Sequence, residues 1–475
     1  MRRRHMLVRV LALLGLASGA VVASGQVASA SRPGSELWTA TLDRQDGFGP
    51  ISQGRVVVSP DGSTAFVAGQ SENDYATVAY DTSTGASIWT SRYDGPSGGV
   101  DRLNAMAVSP DGTRLFVTGL SVGFSGRSDY ATVAYDAATG GFLWVRRYDG
   151  PGTRRRGFDS ANSIGVTPDG STVFVTGGSA GATTHTDFAT IAYDSATGRR
   201  TWSQRFDGPE GDYDAAKALA VSPDGGAVFV TGYVNYFKNY GTDYATIAYD
   251  TSTGAEIWSA VYDSGTDHEP GDSADAIAVS QDGTMVFVTG DTTRDYATVA
   301  YHASNGAEIW SERYDGAEDG FAAALAIGVS PDGATVFVTG GAERWRQREF
   351  EFDPYAYVTV AYDARTGAML WVQRFTGPVD GYSVAHSLAV SPDGTTVYVT
   401  GGTTTSTTER TSAYATIAYD AVTGSLRWRR LHDNGGASSV AVTPDGTKVI
   451  VTGTKSGPGV GGERDTWYLT IAYSS

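Results

Sequence analysis

The sequence predicts an all-β protein: an eight-bladed β-propeller of four-stranded antiparallel blades, closed by the N-terminal strand completing the last blade. Three observations carry that prediction. A turn of the type Ser/Thr-Pro-Asp-Gly, with Gln for Pro in one copy, recurs at Ser59–Gly62, Ser109–Gly112, Thr167–Gly170, Ser222–Gly225, Ser280–Gly283, Ser330–Gly333, Ser391–Gly394 and Thr443–Gly446, so eight units of about 55 residues follow one another. A tryptophan follows each of the first seven turns, at Trp89, Trp144, Trp202, Trp258, Trp310, Trp371 and Trp428. The eighth repeat stops at Tyr473-Ser474-Ser475 before any tryptophan strand, whereas Gly34–Thr39 (GSELWT) is such a strand with no repeat ahead of it.

The first thirty residues stand apart from the repeats. Arg2, Arg3, Arg4 and Arg9 are followed by an apolar run from Val10 to Ala23 and by Ala28-Ser29-Ala30, the pattern of a secretory signal cleaved after Ala30. Residues 31–475 are then expected to form one propeller domain, secreted and extracellular, with no membrane span, because no later stretch approaches the ~20 apolar residues a spanning helix needs. Removing the segment's four arginines and no acidic residue takes the formal net charge from −17 to −21. That field opposes nucleic acid. With no cysteine, an exported chain must be held by packing rather than by disulfides, and a monomer is expected.

Within each unit four short strands are separated by turn residues. The strand before the turn alternates small and large, as in Ala105–Val108. The strand after it ends in Gly, as in Leu115–Gly119 (LFVTG) and Val286–Gly290 (VFVTG). The third alternates, as in Asp74–Asp81 (DYATVAYD), and the fourth carries the tryptophan after a Thr-Gly turn. A sheet this small cannot bury both faces alone. Sheets that stack around an axis cover one another, with the tryptophans docking on the small positions of a neighbour.

The segment Ala79–Trp89 (AYDTSTGASIW) resembles the repeat of the pyrroloquinoline-quinone (PQQ) propeller superfamily, and the pattern recurs at Ala134–Trp144, Ala248–Trp258, Ala361–Trp371 and Ala418–Trp428. The Ser-Pro-Asp-Gly turn with the strand after it is similar to the YVTN-like repeats of bacterial surface-layer propellers. Both resemblances imply a propeller, and both families contain many non-enzymes. The superfamily's dehydrogenases would bring PQQ and Ca²⁺ into the central channel with an Asp as base. They typically carry a vicinal disulfide beneath the cofactor and longer blades, which this cysteine-free chain lacks. PQQ is therefore not expected.

No G-x-S-x-G, H-E-x-x-H or G-x-x-x-x-G-K-[ST] motif is present, and no carboxylate pair is singled out by spacing. The loops say more. The connection between second and third strands shares a face with the link to the next blade, and that face varies while the turn face is uniform. Tyr233–Tyr240 (YVNYFKNY) and Ala342–Tyr355 (AERWRQREFEFDPY) flank the short Asp291–Arg294, predicting a cleft over the fifth blade. Tyr236, Trp345, Phe350 and Phe352 would be stacking platforms there or rim packing, with His268, Glu269, Asp272 and Asp275 on the adjoining link.

Asp101, Asp159, Asp214 and Asp272 occupy one repeat position, followed three residues later by Asn104, Asn162, Lys217 and Asp275, with His386 in repeat seven. The four aspartates either line the channel mouth as Ca²⁺ ligands or satisfy local backbone N–H groups. The leading functional expectation is a secreted, non-catalytic binding protein for an extracellular glycan or protein. A propeller enzyme, PQQ-dependent or polysaccharide-active, is the alternative, and a purely structural extracellular repeat protein is the third class.

Overall fold

The computed structural model describes residues 31–42, 51–152, 157–209, 211–236, 241–265, 271–292, 295–316, 321–342, 355–379, 381–406, 411–458 and 464–475. The propeller lies within Pro33–Ser475. Its strands form eight four-stranded antiparallel sheets, seven of them taken in chain order. Blades 1 to 7 span residues 51–93, 101–148, 159–206, 215–262, 273–314, 322–375 and 383–433. Blade 8 takes its first three strands from Gly435–Val442, Lys448–Pro458 and Arg464–Ser474 and its outer strand from Glu36–Leu42. Among the described residues no helix is long and apolar enough to cross a membrane.

The closure expected from the orphan strand is present, with Trp38 opposite Ala472 and Leu42 opposite Tyr468. It also rebuilds a turn from two chain ends. In blade 1 the Gly85 N–H donates to the Asp81 carbonyl at 2.8 Å and the Asp81 N–H to the Ala86 carbonyl at 2.9 Å. In blade 8 the Gly34 N–H donates to the Ser474 carbonyl at 2.8 Å and the Ser474 N–H to the Ser35 carbonyl at 2.9 Å. The same turn therefore forms across a break in the chain, and the sheet edge it covers is one that would otherwise be open to another strand.

The core is distributed among the seams. One apolar cluster fills each boundary between consecutive blades, as Phe116, Trp144 and Val173 do between blades 2 and 3. Each tryptophan ring lies over the glycine of the next blade's Thr-Gly or equivalent turn. A Cβ built on Gly85 would stand 2.7 Å from Trp38, and one on Gly34 would stand 2.7 Å from Trp428. These glycines hold positive φ, +74° in both cases, so sterics and conformation select glycine together. The indole also donates across the seam: Trp38 Nε1 to the Thr82 carbonyl at 2.8 Å, Trp144 to Ser195 at 2.9 Å, Trp371 to Ala421 at 3.0 Å. A second stitch comes from the third strand, where Tyr75 donates to Ala131, Tyr130 to Ala189 and Tyr414 to Leu469, each at 3.2 Å. Ala105 and Ala107 pack on the blade 2–3 cluster while Met106 belongs to the blade 1–2 cluster, as the small–large alternation of the inner strand requires.

Consecutive inner strands pack side by side around the axis, and the strand of blade 8 meets that of blade 1. The Ser/Thr-Pro-Asp-Gly and Thr-Gly turns meet at one end of each blade: the Thr82 N–H and hydroxyl donate to the Ser63 and Gly62 carbonyls. Second-to-third-strand loops and inter-blade links share the opposite end, termed here the loop face.

Candidate functional site on the loop face

Each link crosses the loop face and enters the next blade through the residue eight positions before its turn Ser/Thr, which is Asp101, Asp159, Asp214 or Asp272 at the first four seams. All four are buried. Each is placed by the backbone around it. Asp101 accepts the Gly95 N–H; Asp159 accepts Gly150 and Ala180, both at 2.9 Å; Asp214 accepts Gly208 at 2.5 Å and Asn235 at 2.8 Å; Asp272 accepts the Ser264 N–H at 2.8 Å and its hydroxyl at 2.9 Å. Burial pushes all four carboxyls above the usual range, Asp214 to about 6.

Three of these aspartates gather into separate seam clusters. Asp101 joins Asp74 and Asp94, Asp159 joins Asp129 and Asp149, and Asp272 joins Asp243 and Asp263, with one oxygen from each residue of a trio within 4.8 Å of the others. As all-oxygen donor sets the trios could hold a hard cation such as Ca²⁺. They differ in charge balance. An outer-strand arginine pairs with the third-strand aspartate at the earlier seams: Arg92 with Asp74, Arg147 with Asp129 at 2.8 Å and Arg205 with Asp187 at 2.6 Å. In blade 4 the matching position is Val261, so Asp243 has no such arginine. Burial, reinforced by Asp263 and Asp272, pushes Asp243 up to about 7.

The residue three positions after each of these aspartates is the bulged residue of its inner strand: the register breaks at Asn104, Asn162, Lys217 and Asp275, and again at His386. A bulge re-aims a side chain. Here it sends some of them across the seam: Asn104 Nδ2 donates to the Ala161 carbonyl at 2.7 Å, Asn162 to Ala216 at 2.8 Å, and His386 Nδ1 lies 3.0 Å from the Ala437 carbonyl. Lys217 Nζ stands 5.5 Å over the Tyr233 ring. Asp275 is hydrogen-bonded to Asp291, both carboxyls are raised chiefly by burial, and Asp291 reaches about 7.

Of the residues assigned to a cleft over blade 5, Asp272 and Asp275 lie at the start of that blade's inner strand with the separate partners just described. Tyr236, at the end of its strand, packs on the apolar cluster between blades 3 and 4. Trp345, Phe350, Phe352, His268 and Glu269 lie outside the described residues. Sequence reasoning missed the position nine residues before each turn, which holds Val100, Phe158, Tyr213, Gly271, Phe321, Tyr382 and Asn434 from the second repeat onward. Four of these seven are aromatic, and all four are exposed. The fixed offset from the turn would have exposed the pattern. Asp243 and Asp291 were missed because only the fold brings them to their partners.

The described tryptophans are committed to the propeller rather than to a cofactor such as PQQ. Seven repeat tryptophans donate Nε1 across a seam and Trp428 covers Gly34. Trp467 lies over Gly457 of its own blade, so among the described residues no tryptophan is left to stack on a planar quinone in the channel.

The chain matches the family model of PQQ-type repeats described as outer membrane protein assembly factor BamB over residues 23–235, 155–344 and 243–461. No curated protein matches the sequence. Among solved structures, the Dos1 propeller is 11% identical at a TM-score of 0.57, with 93% of this chain and 95% of that one covered. A europium-containing methanol dehydrogenase is 14% identical at the same TM-score of 0.57, with 92% and 93% covered. At such identities these likenesses show the fold alone. The repeats, the seam chemistry and the family match agree, and the chain belongs to the PQQ-repeat, BamB-like propeller family.

Proposed function

We propose that the protein is exported and acts as a non-catalytic binding propeller, holding an extracellular glycan or protein on its loop face. One observation carries the reading: the two faces are built differently. The turn face repeats one hydrogen-bonded turn, with the Asp of each Ser/Thr-Pro-Asp-Gly accepting from the hydroxyl that opens it. The loop face instead sets exposed aromatic rings beside immobilised carboxylates. Variation over a rigid scaffold is where recognition usually sits. Export is supported by the basic–apolar–small-residue pattern that ends at Ala30.

The test has two parts. The chain produced in a secreting host should be recovered from the medium with Ser31 as its first residue. The recovered protein should melt at higher temperature with a true ligand from a panel of oligosaccharides and extracellular proteins, since a ligand bound only by the native state stabilises it. Recovery from the cytoplasm with Met1 intact, or no shift with any member of the panel, would count against the reading. A second reading, a polysaccharide-active enzyme, is favoured by Asp243 and Asp291, whose carboxyls stand near 7 where acid–base chemistry is effective. Release of reducing ends from a polysaccharide, abolished by Asp243→Asn or Asp291→Asn, would establish it.

A further inference from the structure

We infer that Phe158, Tyr213, Phe321 and Tyr382 form the ligand-contacting surface and that the ligand they fit is a neutral glycan chain; this rests on the binding reading above and names its site and ligand class.

The four share one structural place. Each stands one or two residues before an inner strand, and they are 58%, 54%, 42% and 63% exposed in a chain that packs its repeat tryptophans and third-strand tyrosines into the seams. Three of the four have backbones held by the preceding blade. Phe158, Tyr213 and Tyr382 form parallel bridges with Ser128, Thr186 and Tyr355. The N–H of the residue after Tyr213 donates to Thr186 at 2.7 Å, and that after Tyr382 donates to Tyr355 at 2.8 Å. Two rings are also supported on one side: His185 packs 4.4 Å from Tyr213, and Tyr355 stacks 4.8 Å from Tyr382 at an interplanar angle of 16°. Rings fixed in this way lose little freedom when something stacks on them.

The surroundings select the ligand. Asp159 follows Phe158 and Asp214 follows Tyr213, while Arg127 reaches the Gly152 carbonyl beside the Phe158 link. The rings stand one to a seam rather than in one patch, whereas a protein partner's hot spots favour a contiguous apolar core. Separate rings with exposed link carboxylates near them, such as Asp149 in the Asp159 cluster, suit a sugar, whose C–H face stacks while its hydroxyls hydrogen-bond around it. A platform repeated from seam to seam suits a ligand that is itself a repeat. The formal charge of −17 opposes an acidic polysaccharide. At the seam between blades 4 and 5 the series is interrupted, with Gly271 in the aromatic's place and Val261 in the arginine's. Phe158 and Tyr213 thus form one pair of platforms and Phe321 and Tyr382 another, with the half-buried Asp243 and exposed Asp263 carboxyls at the seam between the pairs as hydroxyl acceptors.

The probes are hexasaccharides of β-1,4-linked glucose, xylose and N-acetylglucosamine, with polygalacturonate as the acidic comparison, titrated into the full chain by calorimetry. Phe158→Ala/Tyr213→Ala and Phe321→Ala/Tyr382→Ala remove the two pairs, and Val422→Ala, an exposed residue of the turn face, is the control. At least one neutral hexasaccharide should bind, each double variant should weaken it about tenfold or more with an unchanged Tm, and Val422→Ala should leave it alone. Glycan binding that survives both double variants would overturn the assignment of the surface and leave the binding reading standing. Binding of polygalacturonate in preference to the neutral hexasaccharides, or of a protein from the extracellular panel with no hexasaccharide bound, would overturn the ligand class. If neither glycans nor proteins bind, both readings fall.

Discussion

Near the middle of seven blades two threonines face each other across the second and third strands, buried and hydroxyl to hydroxyl, as in Thr118 with Thr132 at 3.0 Å and Thr176 with Thr190 at 2.9 Å. Blade 1 breaks the pattern, with Ala68 opposite Thr77, so Thr77 lacks the hydroxyl its counterparts have. Ala68→Thr should restore the pair at a site whose equivalents already hold that volume. The expected gain is about 0.5–1.5 kcal/mol, read as a higher Tm; a lower one would mean that blade 1 has closed around the smaller residue. Titration gives a second prediction at this scale. Asp243 and Asp291 stand near 7 when folded against about 3.9 in an unfolded chain, so folding takes up protons between those values. Their stabilising protonation is complete below about 4 and is lost as pH rises through 7. The turn carboxylates run the other way: the hydroxyls of Ser109, Ser252 and Thr443 hold Asp111, Asp250 and Asp445 down to about 2, a contribution present above about 4 and lost as pH falls toward 2. The Tm should therefore be highest in mildly acidic buffer and fall between about pH 4 and 7. Asp243→Asn should flatten that fall, and a variant with the same slope as the parent would show that Asp243 does not titrate there.

At the scale of the element, the seam is the unit of stability. Trp144 is central to one: its ring covers Gly198, its Nε1 bonds the Ser195 carbonyl, and it packs against Phe116 and Tyr193. Trp144→Ala should cost about 3–5 kcal/mol, the usual range for a large buried aromatic, measured by denaturant unfolding. Gly198→Ala attacks the same seam from the other side, since its Cβ would stand 2.6 Å from the indole at a φ of +65°. It should lower the Tm without altering glycan binding, because the Thr-Gly turn is on the opposite face. These elements were legible because turn chemistry is local. Asp81, Gly85 and Trp89 stand at fixed spacing in one segment, and each requires its own backbone shape. The loop face was legible only where a local rule reached it. The aspartates were placed before their strands because an Asp that satisfies nearby N–H groups declares itself over a few residues. The trios were not visible, because Asp74, Asp94 and Asp101 come from a third strand, a link and the next blade's inner strand. The exposed aromatics had a fixed register but no local signature, since Phe158 and Phe188 look alike in sequence and only one is buried.

Over the whole molecule, eight similar seams leave the ring with one place where the chain is not continuous, the blade 8 turn completed by Pro33 and Gly34. Removing residues 31–42 should strip the outer strand from Arg464–Ser474 and uncover Trp428's resting place on Gly34, lowering the Tm and promoting association through the bared edge. A monomeric deletion variant with the parental Tm would show that the strand is dispensable. The converse change is more informative. The blade 1 turn runs Asp81, Thr82, Ser83, Thr84, Gly85, and the broken turn supplies Ser474 and Ser475 at one end and Pro33 and Gly34 at the other, with the Ser475 N–H donating to the Thr447 carbonyl as the Thr82 N–H does to Ser63. One residue completes it. A circular permutant joining Ser475 to Pro33 through a single residue, with new termini opened between Ser125 and Gly126 in an exposed loop turn, should keep the fold. It should also resist unfolding better than a parent nicked at that same loop, because the joined strand can no longer fray away from blade 8. If the permutant unfolds at lower denaturant than the nicked parent, the break in blade 8 is relieving strain around the ring and the closure acts as a spacer rather than a clasp.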